Sequence, residues 1–215
     1  RSQLDVKRKN GQFIGSFAGY GYQKDPENKN HLIIDEYAAE IVRFIFNLKM
    51  GGYSSQRIAT KLNEMGVLPP LEYKRSRGMK YNSGFRSGAN PKWAVTTVNR
   101  ILTNELYTGT MVQGKNRKIN YKVKECRPVA EENWIRVEKT HEAIIAEEIF
   151  QYVQSLLELD TRTAPDEDSV YLFSGFLRCG DCGQNMVKRS TSKKGKRYYY
   201  YHCSTYKNGE FTSDQ

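Results

Sequence analysis

The sequence is short of the features that mark several large protein classes. No run approaches the roughly 18 consecutive apolar residues that a membrane-spanning helix needs. The opening stretch, Arg1 to Asn10, is polar and basic and carries no secretory signal, and a chain that starts at Arg1 rather than Met reads as an excised piece. There are only four cysteines, Cys126, Cys179, Cys182 and Cys203, and in a chain without a secretory signal the Cys-x-x-Cys spacing of two of them suggests metal more than disulfides. The three histidines, His31, His141 and His202, are scattered. No Ser-His-Asp set, glycine-rich phosphate loop or His-Glu-x-x-His pattern accompanies them, so no nucleophilic or hydrolytic centre is predicted. A structural hydrogen bond near a helix start is the role expected of His141.

What the sequence does have is positive charge, unevenly placed. The 215 residues carry a formal net charge of +10. Residues 67–128 hold 13 Lys/Arg against 3 Asp/Glu, residues 129–170 hold 3 against 11, and residues 171–215 hold 8 against 3. Two basic blocks interleaved with aromatics flank an acidic one. Such blocks suit a polyanion, because neutralising phosphates releases condensed counterions. A solvated face that merely confers solubility is the alternative reading of charge alone.

Periodicity predicts an α+β chain. Phe17 to Ile34 reads as a hairpin around Asp25-Pro26-Glu27-Asn28. Asp35 is placed to cap a helix 35–49 whose apolar face is Tyr37, Ile41, Phe44, Ile45 and Leu48. A second helix, 54–65, turns Ile58, Leu62 and Met65 inward and stops at Gly66. Pro69-Pro70 read as breakers opening a long basic loop to residue 93. A third helix, 94–106, buries Ala94, Val98, Ile101 and Leu102 and shows Thr96, Asn99, Arg100 and Thr103 on its other face. Short strands are expected at 107–112, 119–123 and 134–137 around a basic turn, Gly114 to Lys118, followed by a helix 144–159. Residues 161–169, with Pro165 and three successive acids, read as a linker between a domain over 1–160 and a small domain over 170–215.

Three helices in this order form a helix-turn-helix-like set, in which the last enters the major groove of DNA. Arg100 would then pair with guanine and Asn99 with adenine, while Thr96 and Thr103 would reach phosphate or a thymine methyl. An ordinary bundle with a polar outer face remains open. The loop cations Lys74, Arg75, Arg77, Lys80, Arg86 and Lys92 favour DNA, since six cations with so few acids repel one another without a counter-surface. Lys115, Arg117 and Lys118 join the candidate contacts, as do Lys188, Arg189, Lys193, Lys194, Lys196 and Arg197 near the end. Residues 1–12 read as the last turns of a helix that began upstream, and Lys7, Arg8 and Lys9 as an extended arm after it on phosphates or the minor groove.

The second constellation is Cys179-Gly-Asp-Cys182-Gly183, a tight knuckle suited to one tetrahedral zinc ion. Cys203 follows Tyr198-Tyr199-Tyr200-Tyr201-His202, and strand alternation would place Tyr199, Tyr201 and Cys203 on one face and His202 on the other. Three sulfurs leave a structural zinc site one ligand short. His202, Cys126 and a cysteine past Gln215 are the candidates for the fourth. A redox pair or free thiols are the alternative, although the segment lacks the βαβ setting of a thioredoxin-like motif.

The residues as a whole resemble the large serine recombinases. Gly19-Tyr20-Gly21-Tyr22, Leu32-Ile33-Ile34-Asp35, Ala39 and Ile45-Phe46 are similar to the opening of that family's recombinase domain. Ile58-Ala59, Leu62-Asn63-Glu64-x-Gly66, Trp93, Ile101-Leu102-x-Asn104-x-x-Tyr107-x-Gly109 and the run from Trp134-Ile135 through His141-Glu142-Ala143-Ile144-Ile145 to Phe150 continue the likeness. Phe173-Ser174-Gly175-x-Leu177-Arg178-Cys179-x-x-Cys182-Gly183 to Cys203 resembles its zinc β-ribbon. The likeness departs at Gly19, where the family has Pro, at the fourth cysteine and at a coiled coil.

The resemblance implies the DNA-binding part of a phage integrase or mobile-element transposase, gripping half of a double-stranded attachment site for integration or excision. It implies structural Zn2+ on Cys179, Cys182 and Cys203, and a serine nucleophile in an upstream catalytic domain to which residues 1–12 would link. The parent would assemble as dimers and tetramers on DNA in the cytoplasm, and the fragment alone would not be an enzyme. A zinc-containing helix-turn-helix transcription regulator, or a zinc-stabilised module docking a basic partner on its acidic block, are the rival readings.

Overall fold

The computed structural model describes residues 3–80, 91–118, 126–158, 173, 175–193 and 195–208. The chain divides into two compact units, Arg1–Gln154 and Ser155–Gln215. The expected linker 161–169 and the expected strand 119–123 lie outside the described residues.

In the first unit α1 (Gln3–Lys9) leads to β1 (Tyr22–Lys24) and β2 (Leu32–Ile34), which pair antiparallel with Tyr22 opposite Ile34. The turn between them is held by local side chains. Asp25 Oδ1 accepts from the Glu27 N–H at 2.8 Å, and Asn28 Oδ1 from the Asn30 N–H at 3.1 Å. The helix expected within residues 1–12 is α1, and it takes in Lys7, Arg8 and Lys9, which were expected as an extended arm after it; Arg8 is tied to Asp5 one turn back at 2.6 Å. An i,i+3 ion pair inside a helical segment favours the helix over an arm.

Asp35 caps α2 (Glu36–Met50), its Oδ1 accepting from the Ala38 N–H at 3.4 Å. The buried face of α2 is Ala38, Ala39, Val42, Ile45, Phe46 and Leu48, while Tyr37 is half exposed. The expected stripe is therefore rotated: two alanines are buried where the bulkier Tyr37 and Phe44 were expected. Ser54 caps α3 (Ser55–Glu64), which buries Ile58, Ala59 and Leu62. Met65, expected inside, is exposed, and Gly66 stops the helix at φ +67°.

Pro69 and Pro70 do not open a loop but a helix, α4 (Pro70–Ser76), with Pro70 in the first turn, where its missing N–H is no loss. The next helix, α5 (Val95–Leu102), is shorter than expected. Ala94 is its exposed N-cap residue rather than a core residue, and Val98, Ile101 and Leu102 are buried. A 3-10 turn, Glu105–Thr108, follows and ends at Gly109 with φ +85°. A Cβ there would sit 2.8 Å from the backbone oxygen of His141, so this crossing needs glycine.

Two further antiparallel pairs complete the unit: β3 (Met111–Gln113) with β6 (Ile135–Val137), and β4 (Asn116–Lys118) with β5 (Cys126–Pro128). The expected basic turn 114–118 thus contains a strand. The last helix, α6 (Glu147–Glu158), begins later than expected, and Ile144 and Ile145 are buried in the bends before it. Phe150 and Val153 carry its inward face. Helices α2, α3 and α5 meet around Val42, Ile45, Phe46, Ile58, Leu62, Val98 and Leu102, all fully buried. Each such side chain contributes roughly 1.5–3 kcal/mol on leaving water. Tyr107 is buried beside them, its hydroxyl donating to the Tyr20 carbonyl at 2.9 Å.

The second unit is a ribbon. β7 (Met186–Lys193) and β8 (Lys196–Cys203) pair antiparallel from Met186 opposite Cys203 to Lys193 opposite Lys196, and α7 (Ser204–Asn208) follows directly. The fold is therefore α+β, with helices and small antiparallel sheets in both units.

Candidate nucleic-acid interface and metal centre

Helix α5 separates its residues cleanly by face. Val98, Ile101 and Leu102 are buried against α2 and α3, while Thr96, Asn99, Arg100 and Thr103 are exposed. Asn99 is not loose: its Oδ1 accepts from the Ser55 hydroxyl at 2.5 Å, which fixes the amide at the first turn of α3. A carbonyl oxygen has a second lone pair and the Asn99 amide N–H groups keep their donor capacity, so paired hydrogen bonding to an adenine edge stays available. The Thr103 hydroxyl donates back to the Asn99 carbonyl at 2.9 Å.

The segment between α3 and α5 is closed at its base. Asn63 bonds both backbone groups of Trp93, accepting from its N–H at 2.8 Å and donating to its carbonyl at 3.1 Å. The Trp93 indole N–H in turn donates to the Val67 carbonyl at 2.9 Å. Within the segment α4 is pinned by Tyr73, whose hydroxyl lies 3.0 Å from both Asp35 carboxylate oxygens. The Tyr73 ring stacks on Tyr37 at 5.4 Å and meets the edge of Tyr20 at 5.5 Å, and Tyr20 also packs against Trp93 at 5.7 Å. Burial pushes the Tyr73 phenol up, and its bond to Asp35 does so further.

The basic residues read from the sequence fall into different settings. Lys74 is half-buried with its ammonium 5.9 Å from the Phe17 ring, and burial pulls its pKa down. Arg75 forms an exposed pair with Glu72 at 2.7 Å, and Arg77, Lys80 and Lys92 are exposed. Lys115 sits over the Trp134 ring at 4.5 Å. Arg86, Lys194 and the side chains of Arg117 and Lys118 lie outside the described residues. On the ribbon, Lys188 covers the Tyr199 ring at 3.9 Å, and Arg189, Lys193, Lys196 and Arg197 are exposed.

The knuckle before β7 is built by backbone bonds. The Cys179 N–H donates to the Gln184 carbonyl at 2.8 Å, and the Gly183 N–H donates to the Cys179 carbonyl at 2.9 Å. This turns Cys179 and Cys182 toward Cys203, which β8 brings in from the other side. The three sulfur atoms lie within 4.8 Å of one another, with Cys182 and Cys203 3.3 Å apart. Ligands about 2.3 Å from one tetrahedral ion stand roughly 3.8 Å apart, so the three sulfurs fit a single zinc. The Thr205 hydroxyl and then Cys182 pull the Cys203 thiol down to about 6, which favours the thiolate that a metal takes.

His202 does not join this group among the described residues. Its Nε2 accepts from Arg189 Nε at 3.0 Å on the opposite face of the ribbon, as strand alternation requires. Cys126 is an exposed residue of β5 in the first unit. His141 is structural: it is buried, with Nε2 2.8 Å from the Leu106 carbonyl and Nδ1 2.7 Å from the Thr140 hydroxyl. Sequence reasoning missed Tyr73 and the Asn63–Trp93 clasp. The phase of α4 was hidden by its prolines, and the clasp joins residues 30 apart.

Two family models match the chain. That described as "Recombinase" covers residues 36–160, and the "Recombinase zinc beta ribbon domain" covers residues 172–214. A Bacillus subtilis (strain 168) protein named "Putative DNA recombinase" is 32% identical over 92% of this chain, which spans 38% of that relative's length. The solved structure described as "Sequence Requirements of the Listeria innocua prophage attP site" is similar at a TM-score of 0.52 and 25% identity, covering 96% of this chain and 74% of that one. Another, "Crystal Structure of a LSR-DNA Complex", shares the fold at a TM-score of 0.51 and 24% identity over 95% of this chain and 53% of that one.

Proposed function

Because the chain belongs to the recombinase family, that of the large serine recombinases, we propose that it is the part of a site-specific recombinase that grips DNA. The observation that carries this reading is α5, whose buried face is anchored on α2 and α3 while Thr96, Asn99, Arg100 and Thr103 stand exposed. In this reading α5 lies in the major groove of one attachment half-site. Arg100 takes guanine O6 and N7, Asn99 takes adenine, and Thr96 and Thr103 meet phosphate or a thymine methyl. The exposed cations of the 67–93 segment, of α1 and of the ribbon neutralise phosphates and set affinity without reading sequence. The parent protein, from a phage or other mobile element, integrates or excises DNA as a dimer or tetramer, with the cutting serine supplied by a catalytic domain.

Zinc belongs to the same reading. Cys179, Cys182 and Cys203 would hold it, and when bound it supplies a structural cross-link that a ribbon of this size cannot replace with apolar burial. Cys179 and Cys182 present their sulfurs from a backbone-bonded knuckle, and Cys203 closes the group from the end of β8. A fourth ligand outside Cys179, Cys182, Cys203 and His202 would complete the set.

The test is site selection and salt-dependent binding with duplex half-sites. Arg100→Ala is expected to relax preference at one base position, with a loss of roughly 1–3 kcal/mol on the preferred base. Alanine at Arg77 and Lys92 is expected to weaken all sequences alike and to flatten the salt dependence. A selection profile indifferent to Arg100 removes α5 as the reading helix. Binding that ignores salt favours a protein partner over DNA.

A further inference from the structure

We propose that Tyr73 is a positioning residue for DNA binding: it docks α4 beside the start of α5, so that Arg75 and Arg77 meet the sugar-phosphate backbone flanking the bases that α5 reads. The inference rests on the DNA-binding reading given above and adds to it a second, sequence-independent contact element and the contact that places it.

The argument starts from the chain's connectivity. α4 follows α3 and α5 begins at Val95, two residues after Trp93, and the ends of the intervening segment are clasped by Asn63, Trp93 and Val67. α4 has no buried residue of its own, so nothing in its sequence makes it a core helix. It is held instead by Tyr73, through two 3.0 Å contacts to Asp35, a stack on Tyr37 and an edge against Tyr20. Tyr20 touches both Tyr73 of α4 and Trp93 before α5, so one buried ring fixes the spacing between the two elements.

A helix of seven residues that buries none would not persist in water for its own sake. What the docking achieves is to present cations. Arg75 and Arg77 sit in its last turn and at its C-cap, both exposed, and Lys74 is turned back over Phe17. Arg75 pairs with Glu72 in an exposed i,i+3 contact, the kind of pair that a phosphate readily displaces. A guanidinium in place before binding gives up less freedom on reaching a phosphate than one on a loose loop. The chemistry recognised is therefore a row of phosphodiesters, not a base.

The experiment measures equilibrium binding of this chain to a duplex half-site over a salt series, together with site selection and thermal melting. Four proteins are compared: wild type, Tyr73→Phe, the surface double variant Arg75→Ala/Arg77→Ala, and all three changes combined. Tyr73→Phe keeps the ring contacts and removes only the hydroxyl. The double variant is expected to lower the slope of log Kobs against log salt by about 2, close to 0.9 for each phosphate contact. Tyr73→Phe alone is expected to give much of that reduction, with the base preference unchanged. The combined variant should match the double variant. A Tyr73→Phe slope equal to wild type overturns the positioning role, as does a slope change that comes with an altered base preference. An unchanged slope in the double variant overturns the phosphate contacts. Wild-type protein that does not bind DNA overturns the DNA-binding reading itself, a result separable from failure of the variants alone.

Discussion

The side chain of Asn63 completes a two-bond ring with the backbone of Trp93, 30 residues further along: it accepts from the Trp93 N–H at 2.8 Å and donates to the Trp93 carbonyl at 3.1 Å. Only a carboxamide offers both an acceptor and a donor at that spacing. The ring holds the start of α5 to the end of α3, and with it the angle at which α5 presents its exposed face.

Asn63→Ala is expected to destabilise the first unit by about 2 kcal/mol, since two part-buried backbone groups of Trp93 lose their partners. Asn63→Asp should be no better than Asn63→Ala, because a carboxylate faces the Trp93 carbonyl with no hydrogen to give. Urea denaturation of the three proteins checks this, and an Asp variant as stable as wild type would refute the ring.

The Tyr20 hydroxyl is buried and has no hydrogen-bond partner among the described residues. Tyr20→Phe should therefore raise stability by about 1 kcal/mol, since an unsatisfied buried hydroxyl carries a penalty that the phenyl ring lacks. The ring contacts to Tyr73 and Trp93 are retained in the variant. A melting temperature below that of wild type would show that the hydroxyl has a partner in solution.

His141 gives a pH dependence of definite sign. Burial pulls its pKa below the ordinary value of about 6.5, although the bond to the Leu106 carbonyl opposes this. That carbonyl can only accept, so in the neutral ring Nε2 carries the proton. The folded state thus takes up a proton less readily than the unfolded chain. The stability contributed by neutral His141 is fully present above about 6.5 and is lost as the pH falls from there through the folded pKa. Denaturation midpoints at several pH values, compared with His141→Gln, should show a weaker acid-side decline in the variant. An identical decline would assign the effect elsewhere.

For the ribbon, metal analysis of the reduced protein is expected to find one zinc, and Cys203→Ser to lose most of it. His202→Ala should retain the wild-type content, because Nε2 of His202 is taken by Arg189 on the other face of the strand pair. Chelator titration followed by circular dichroism should unfold the ribbon as metal leaves. Zinc lost on His202→Ala would make that residue the fourth ligand.

How far the sequence reaches depends on how local the determinant is. The cysteine cluster was legible because Cys179-x-x-Cys182 fixes one side of the site and strand alternation fixes the phase of Cys203. The cap at Asp35 and the stop at Gly66 were legible for the same reason. The buried face of α2 was not. The sequence favours Tyr37 and Phe44 by bulk, whereas the structure buries Ala38 and Ala39, and Tyr37 serves as a platform for Tyr73. Helix α4 was hidden because a proline pair marks a break in one context and a first helical turn in another. Its existence depends on Asp35 and Tyr20, more than 30 residues away in the chain. The pairing of β3 with β6 likewise depends on contacts across the sequence that no local pattern encodes.

The Asn63–Trp93 clasp makes what lies between its ends an exchangeable cassette. Once the base is held, lengthening the enclosed chain adds only a slowly growing closure entropy, about 0.6 kcal/mol per doubling. The three-helix core and the exposed face of α5 need not register the change. Residues 68–92 are therefore the natural graft site in this chain: a segment exchanged there, with Asn63, Val67 and Trp93 kept, should alter the grip on the DNA backbone while leaving the choice of bases to α5.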